Sequence, residues 1–162
     1  MKTIWIMRHG DAPYINGERQ ISDSGHQDIR KMAHWFSQQL KQQDERLSTL
    51  LVSPILRAQQ TADTFEATLK ELTEASWQRQ TEPLISPESN PDLTIPFVEQ
   101  TTQGTTLLIS HMPLVSNLWA AWLGGESQYF PTSAMGCLSV ELESGTQQAR
   151  KVIFCSPDDT DS

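Results

Sequence analysis

Cysteines, basic residues and long apolar runs are all scarce in this chain of 162 residues. The two cysteines, Cys137 and Cys155, are too few for a disulfide framework and too far apart for a CxxC metal or redox motif. Both are expected to be free thiols. Lys and Arg total 12 against 20 Asp and Glu, a formal net charge of −8. That balance opposes sequence-independent binding to DNA, RNA or an anionic membrane. Nowhere do about 18 apolar residues run together. The opening Met1-Lys2-Thr3-Ile4-Trp5-Ile6-Met7 meets Arg8 before a signal-peptide core of ordinary length is complete. The expectations are no nucleic-acid partner, no membrane partner and a cytoplasmic address. No segment repeats at a fixed period, which excludes a solenoid.

Hydrophobic residues make up 37% of the chain, enough for one core that removes roughly 70% of the extended-chain surface from water. Residues 1–155 are expected to form one domain and the acidic stretch 156–162 a frayed tail. Three short apolar runs, Thr3–Met7, Thr49–Val52 and Thr105–Ile109, have strand length and weak alternation, which suits strands covered on both faces. Helical spacing follows each of them: Ile29, Met32, Ala33, Phe36 and Leu40; then Ala58, Ala62, Phe65, Leu69 and Leu72; then Leu114, Val115, Leu118, Trp119, Trp122 and Leu123, closed by Gly124-Gly125. Strand then helix, three times over, predicts an α/β fold: a three-layer α/β/α sandwich with a mostly parallel central sheet. A short strand is expected around Trp77. The proline-rich segment Pro83 to Pro96 is expected to be loop, with a short helix over Pro96 to Gln103. Leu138–Leu142 and Lys151–Cys155, joined by Ser144-Gly145, predict a closing hairpin.

The residues at the ends of these three strands are unusual: Arg8-His9-Gly10, then Ser53-Pro54 with Arg57, then Ser110-His111-Met112-Pro113. Ligands of open parallel sheets bind outside the carboxyl ends of the strands, so these three corners are expected to converge. Residues 1–80 hold ten basic and ten acidic side chains, whereas residues 81–162 hold two and ten. Gathering two arginines and two histidines round one cavity costs repulsion and desolvation unless an anion neutralises them, and arginines suit phosphate oxygens. Pro54 and Pro113 suit a first helical turn, with Ser53 and Ser110 or His111 as candidate caps. Gly10 is expected to let backbone approach a ligand without a Cβ in the way. Histidine is a competent nucleophile toward phosphorus near neutral pH. His9 would attack in line, held in its tautomer by a backbone carbonyl, with Arg8, Arg57 and His111 stabilising the equatorial oxygens.

Met7-Arg8-His9-Gly10-Asp11-Ala12, Ser53-Pro54-Ile55-Leu56-Arg57-Ala58-Gln59-Gln60-Thr61-Ala62 and Ser110-His111-Met112-Pro113-Leu114-Val115 strongly resemble the motifs of the histidine phosphatase superfamily, the phosphoglycerate mutase-like group. The resemblance covers roughly residues 3 to 155. The short length and the Ser-His-x-Pro motif look like the SixA-type phosphohistidine phosphatases. This resemblance implies His9 as nucleophile and Arg8, Arg57 and His111 as phosphate ligands. It implies a histidine-phosphorylated phosphotransfer domain or carrier protein as substrate and inorganic phosphate as product. No metal or organic cofactor is expected. The family often has Arg, then Leu-Thr, then Gly opening the first helix; Arg19-Gln20-Ile21-Ser22-Asp23-Ser24-Gly25 matches imperfectly, so Arg19 is either a groove residue or a solvated loop charge.

Larger members of the superfamily protonate the leaving oxygen with a carboxylic acid from the segment between the second and third motifs. Neither Glu82 nor Glu88 sits in a convincing match for it. An alkoxide needs that proton, whereas imidazole leaving from a P–N bond needs far less help. Only 53 residues separate Arg57 from His111, leaving little for a lid and predicting an open cleft. The alternatives are a small-molecule phosphomonoesterase or mutase of the same superfamily, and a phosphoprotein-binding module without turnover. His26 and His34 are expected at the surface, Asp11 near a helix start, and Trp35, Trp119 and Trp122 in packing roles.

Overall fold

The three apolar runs become neighbouring strands of a six-stranded sheet, and the alternation of side chains along them divides the interior into two cores. The computed structural model describes residues 1–143 and 146–161, without the side chains of residues 142, 143, 146, 147 and 161. In chain order the elements are β1 (Lys2–Arg8), β2 (Tyr14–Ile15), β3 (Glu18–Arg19), α1 (Asp23–Gln43), β4 (Leu47–Val52), α2 (Leu56–Leu72), β5 (Gln78–Thr81), α3 (Pro91–Thr101), β6 (Thr105–Ser110), α4 (Leu114–Leu123), β7 (Met135–Glu143) and β8 (Thr146–Cys155). The large sheet has the order β5-β4-β6-β1-β7-β8. Every pairing is parallel except those of β7 with β1 and with β8, so β7 alone opposes the other strands.

Trp5 and Met7 of β1, with Leu50, Val52, Leu107 and Ile109, face the apolar stripes of α1 and α2. Ile4, Ile6, Leu51 and Leu108 face α4 and α3, where Val98, Leu114, Leu118 and Trp119 complete the second core. The resulting three-layer sandwich is the one the strand–helix alternation implied. Trp35 packs edge-on against Trp5 with centroids 5.7 Å apart, so its place is in the first core. Ser22 caps α1 by accepting from the Gly25 N–H. Gly124 ends α4 at φ 66°, a left-handed conformation that glycine adopts without a Cβ penalty.

Two expectations need correction. The third helix begins at Pro91, not Pro96. Asn90 accepts from the Asp92 N–H, and Pro91 occupies a first-turn position whose missing N–H would have had no partner in the helix. Pro96 then lies inside the helix and gives up one backbone bond. The acidic tail does not fray over Pro157–Asp161, which forms a 3-10 turn against α1 with Pro157 buried. Its Asp159 carboxylate accepts from the Ser156 N–H and hydroxyl, which ties the turn to the end of β8. The loop after β1 contains the hairpin β2–β3, whose turn residues Asn16 and Gly17 both have positive φ, as a two-residue turn between twisted strands requires. The proposed Ser144-Gly145 turn lies outside the described residues, although β7 and β8 pair antiparallel on either side of it.

Candidate active site

Because β4, β6 and β1 are adjacent and parallel, their carboxyl ends stop side by side, and the residues just beyond them meet. The His9 N–H donates to Ser110 O at 3.0 Å and the Ser53 N–H to Ile109 O at 3.1 Å, so the three corners are joined by backbone hydrogen bonds. His9 and His111 are 2% and 1% exposed, with ring centroids 5.1 Å apart. Arg57, on the first turn of α2, places its Nε 3.3 Å from His9 Nε2. Arg8, the last residue of β1, donates from Nη1 to Phe130 O at 3.0 Å and reaches the Tyr129 hydroxyl at 3.4 Å. Arg19, the end of β3, donates from Nε to Ala12 O at 2.9 Å.

The tautomer of His9 is set by its contacts. Nδ1 lies 2.7 Å from Gly10 O, an acceptor only, so Nδ1 carries the hydrogen and Nε2 keeps its lone pair, on which the Arg57 N–H rests. Burial lowers the His9 pKa to about 4; the Gly10 bond pulls upward, and Arg57, Arg8 and Arg19 push further down. His111 falls to about 3, again chiefly through burial, then through His9, Arg57, Arg19 and Arg8. Arg57 is itself pushed below its ordinary value by burial and by Arg19 and Arg8. The charged groups that bear on the two imidazoles are thus all cationic. At neutral pH the site holds two neutral rings among three guanidinium groups. Such an arrangement favours an anion with several oxygens.

Ser53 was expected to cap a helix and does something else. Neither it nor Ser110 caps a helix: α2 starts after Ile55 and α4 after Pro113, both without a side-chain cap. The Ser110 hydroxyl donates to Ile85 O. Ser53 Oγ accepts from the Ile55 N–H at 3.3 Å and lies 2.7 Å from His111 Nε2. If Ser53 donates to Nε2, its own hydrogen is used and His111 carries a hydrogen on Nδ1. The opposite assignment leaves both the serine hydrogen and the Nδ1 lone pair without use. The hydrogen-bond inventory therefore assigns an Nδ1–H to His111, and that buried atom has no hydrogen-bond partner in the protein, like Arg8 Nε.

Gly10 also differs from expectation. A Cβ there would meet Ile29 Cδ1 at 2.8 Å, so its smallness serves the packing of α1 and not the approach of a ligand. Asp11 Oδ2 accepts from the hydroxyl of Ser22, the α1 cap, which places it at a helix start. His34 is exposed as expected. His26 is half-buried, and its Nδ1 pairs with Thr64 Oγ1 at 2.7 Å. The Glu82 carboxylate accepts from the Leu84 N–H, and Glu88 is exposed. Sequence reasoning missed Tyr129 and Phe130, which contact Arg8, and Tyr14, paired across the hairpin with Arg19. The Asn16-Gly17 pair was the available signal for that hairpin. Among the described residues no group of three His, Cys, Asp or Glu could hold a metal ion, and no helix is long and apolar enough to cross a membrane. A cavity of about 520 Å³ between the ends of α1 and α2 and the start of β4 contains none of the site residues.

No family model matches the chain. The phosphohistidine phosphatase SixA of Escherichia coli strain K12 is 33% identical over 149 residues, covering 88% of this chain and 87% of that protein. A solved structure of the protein histidine phosphatase SixA complexed with tungstate superposes with a TM-score of 0.79 at 31% identity, covering 96% and 97% of the two chains. A mycobacterial glucosyl-3-phosphoglycerate phosphatase shares the fold at 10% identity and a TM-score of 0.69, with 94% and 98% covered. With an imidazole pair and an arginine cluster gathered at the carboxyl edge of a phosphoglycerate mutase-like sheet, and with this degree of identity across most of its length, the chain belongs to the SixA phosphohistidine phosphatases of the histidine phosphatase superfamily.

Proposed function

We propose that the protein removes phosphate from a phosphorylated histidine in a phosphotransfer domain or carrier protein, through a phosphohistidine on His9, and that it acts in the cytoplasm within a phosphorelay. The observation that supports this most directly is the pairing of His9 Nδ1 with Gly10 O, which leaves Nε2 unprotonated beside Arg57.

In the first half-reaction the Nε2 lone pair forms a bond to phosphorus while the P–N bond of the substrate breaks. The leaving ring departs as neutral imidazole when its other nitrogen already holds a proton. Arg8, Arg57 and the Nδ1–H of His111 stabilise the charge spread over the equatorial oxygens, and Arg19 adds positive field from the hairpin. In the second half-reaction water attacks phosphorus, the P–Nε2 bond breaks, and the hydrogen lost by water leaves on the phosphate. His9 returns to its starting tautomer without a second proton transfer. No cofactor enters either half.

Two features favour a histidine-bound phosphoryl over an alkyl phosphate. Glu82 spends its carboxylate on the turn over Pro83–Ile85, so that group is already engaged where an alkoxide would need a proton donor. The residues between Arg57 and His111 build α2, β5, α3 and β6 of the scaffold rather than a cover. The test is to incubate the protein and its His9→Ala variant with a histidine-phosphorylated phosphotransfer domain. Phosphate release by the parent alone is expected. Equal release by both would remove His9 from its role, and release from p-nitrophenyl phosphate or phosphoglycerate but not from the phosphoprotein would favour the small-molecule reading.

A further inference from the structure

Seven large apolar side chains are exposed among the described residues, and four of them lie on the elements that carry or touch Arg8, Arg19 and Arg57. Tyr14 is 78% exposed, Tyr129 62%, Leu56 41% and Ile15 37%. Their placement is fixed by the hairpin, by α2 and by Arg8. Tyr14 pairs across the hairpin with Arg19, and its phenol lies within electrostatic reach of Arg57. Ile15, the next residue and opposite Glu18, alternates to the other face of the hairpin and does not belong with them. Leu56 opens α2 immediately before Arg57. The Tyr129 hydroxyl lies 3.4 Å from Arg8 Nη1, and its residue is far from the hairpin in chain order. Exposed apolar groups scattered singly need no explanation. Tyr14, Leu56 and Tyr129, each paired with, in contact with or next in the chain to one of the three arginines, have the composition of a binding rim.

We infer that Tyr14, Leu56 and Tyr129 form a docking surface for a folded protein that presents its phosphohistidine from an exposed, largely uncharged face. This rests on the phosphohistidine reading of the site. The occupant is set by charge and by reach. A phosphoryl dianion complements Arg8, Arg19 and Arg57. A phosphohistidine side chain delivered to His9 brings the backbone of its own protein within one side-chain length of the mouth. The partner's surface must therefore lie on whatever rims that mouth. A free phosphorylated metabolite would leave the same three side chains in water and gain nothing from them. Aromatic and aliphatic groups at such a position contribute by desolvation and by the rigid contact area of the tyrosine rings, while the phosphoryl supplies the polar anchor.

The experiment compares steady-state release of phosphate from a histidine-phosphorylated phosphotransfer domain by the parent, by the double variant Tyr14→Ala/Leu56→Ala, and by Val152→Ala, an exposed apolar residue of β8. Inhibition by orthophosphate is measured for each, as a report on the cationic cluster alone. The double variant is expected to lose about 10- to 50-fold in kcat/KM, carried by KM, with kcat and the inhibition constant within about twofold of the parent. Val152→Ala is expected to match the parent. A double variant with the parent's KM overturns the docking surface and leaves the phosphatase reading standing. So does one in which kcat and the inhibition constant fail together, because the two side chains would then be acting through the cluster. A parent that releases no phosphate from the phosphoprotein overturns the functional reading and the surface with it.

Discussion

Lowering the pH from 7 to 5 is expected to destabilise this protein through two residues, His9 and His111. Both rings are buried and neutral in the fold, with pKa values of about 4 and about 3 against an ordinary value of 6.5. The unfolded chain therefore binds more protons than the native one between those limits, and stability rises with pH through that window. At pH 5 an imidazole of pKa 6.5 is almost wholly protonated once unfolded and almost wholly neutral when folded. Each histidine then lowers the unfolding free energy by about 2 kcal/mol relative to the alkaline plateau, and the pair by about 4 kcal/mol. That is a large share of the roughly 5–15 kcal/mol that holds a domain together. Urea unfolding followed by tryptophan fluorescence at pH 7 and pH 5 measures it directly. The His9→Gln/His111→Gln variant supplies the background from every other titrating group. Saturating tungstate should flatten the dependence, because a bound oxyanion favours the protonated rings. A parent that loses less than about 1 kcal/mol more than the double variant would refute the claim that both rings are held neutral by burial among cations.

Two further outcomes are expected. Ser53→Ala removes the group that holds His111 Nε2 and so lets the ring exchange tautomers; kcat/KM for the phosphoprotein should fall about 10- to 100-fold, with most of it recovered in Ser53→Thr and the nitrogen-15 shifts of His111 reporting the tautomer. Unchanged nitrogen shifts would sink that assignment. Gly10→Ala drives a Cβ into Ile29 Cδ1, which would stand 2.8 Å away, and should cost about 1–3 kcal/mol in denaturant unfolding. Ile29→Val removes that atom, so the double variant should be more stable than the sum of the single effects allows. Strict additivity would mean that the collision is relieved elsewhere.

The site was readable because each chemical residue sits at a place where local grammar is strong. His9, Ser53 and His111 each come directly after an apolar run of strand length or within one residue of it, and parallel strands must end at a common edge. Arg57 directly precedes the apolar period that opens at Ala58, so its place near the start of a helix was legible in the spacing. What could not be read were interactions that depend on distance in space. The Ser53–His111 bond spans 58 positions and leaves no mark in either local segment. Gly10 next to His9 suggested ligand access, and only the fold reveals that Ile29 of α1 fills the space. The early start of α3 is a different kind of miss. Asn90-Pro91 is a sound start signal, but it was outweighed by Pro96, whose damage to the helix is confined to one hydrogen bond when tertiary contacts hold the rest.

The position of Arg57 couples two requirements of the proposed chemistry. Its Nε–H rests on the lone pair of His9 that would attack phosphorus, so in the absence of substrate the nucleophile is covered by the same group that would bind a phosphate oxygen. That contact favours the unprotonated Nε2, because a protonated ring would place two donors face to face. A phosphoryl group entering the cluster offers Arg57 a stronger, charge-assisted acceptor than a neutral imidazole. In the proposed mechanism Arg57 would then transfer its hydrogen bond to the substrate and uncover the lone pair in the same motion. Anion binding and nucleophile release would become a single event, with no separate base to remove a proton. A lysine at this position would keep the charge, but its ammonium cannot present two fixed donors to the phosphoryl as the planar guanidinium can. On this proposal the charge of residue 57 and its shape would act at different steps: charge helps depress the His9 pKa before substrate arrives, and shape would direct the exchange once it has.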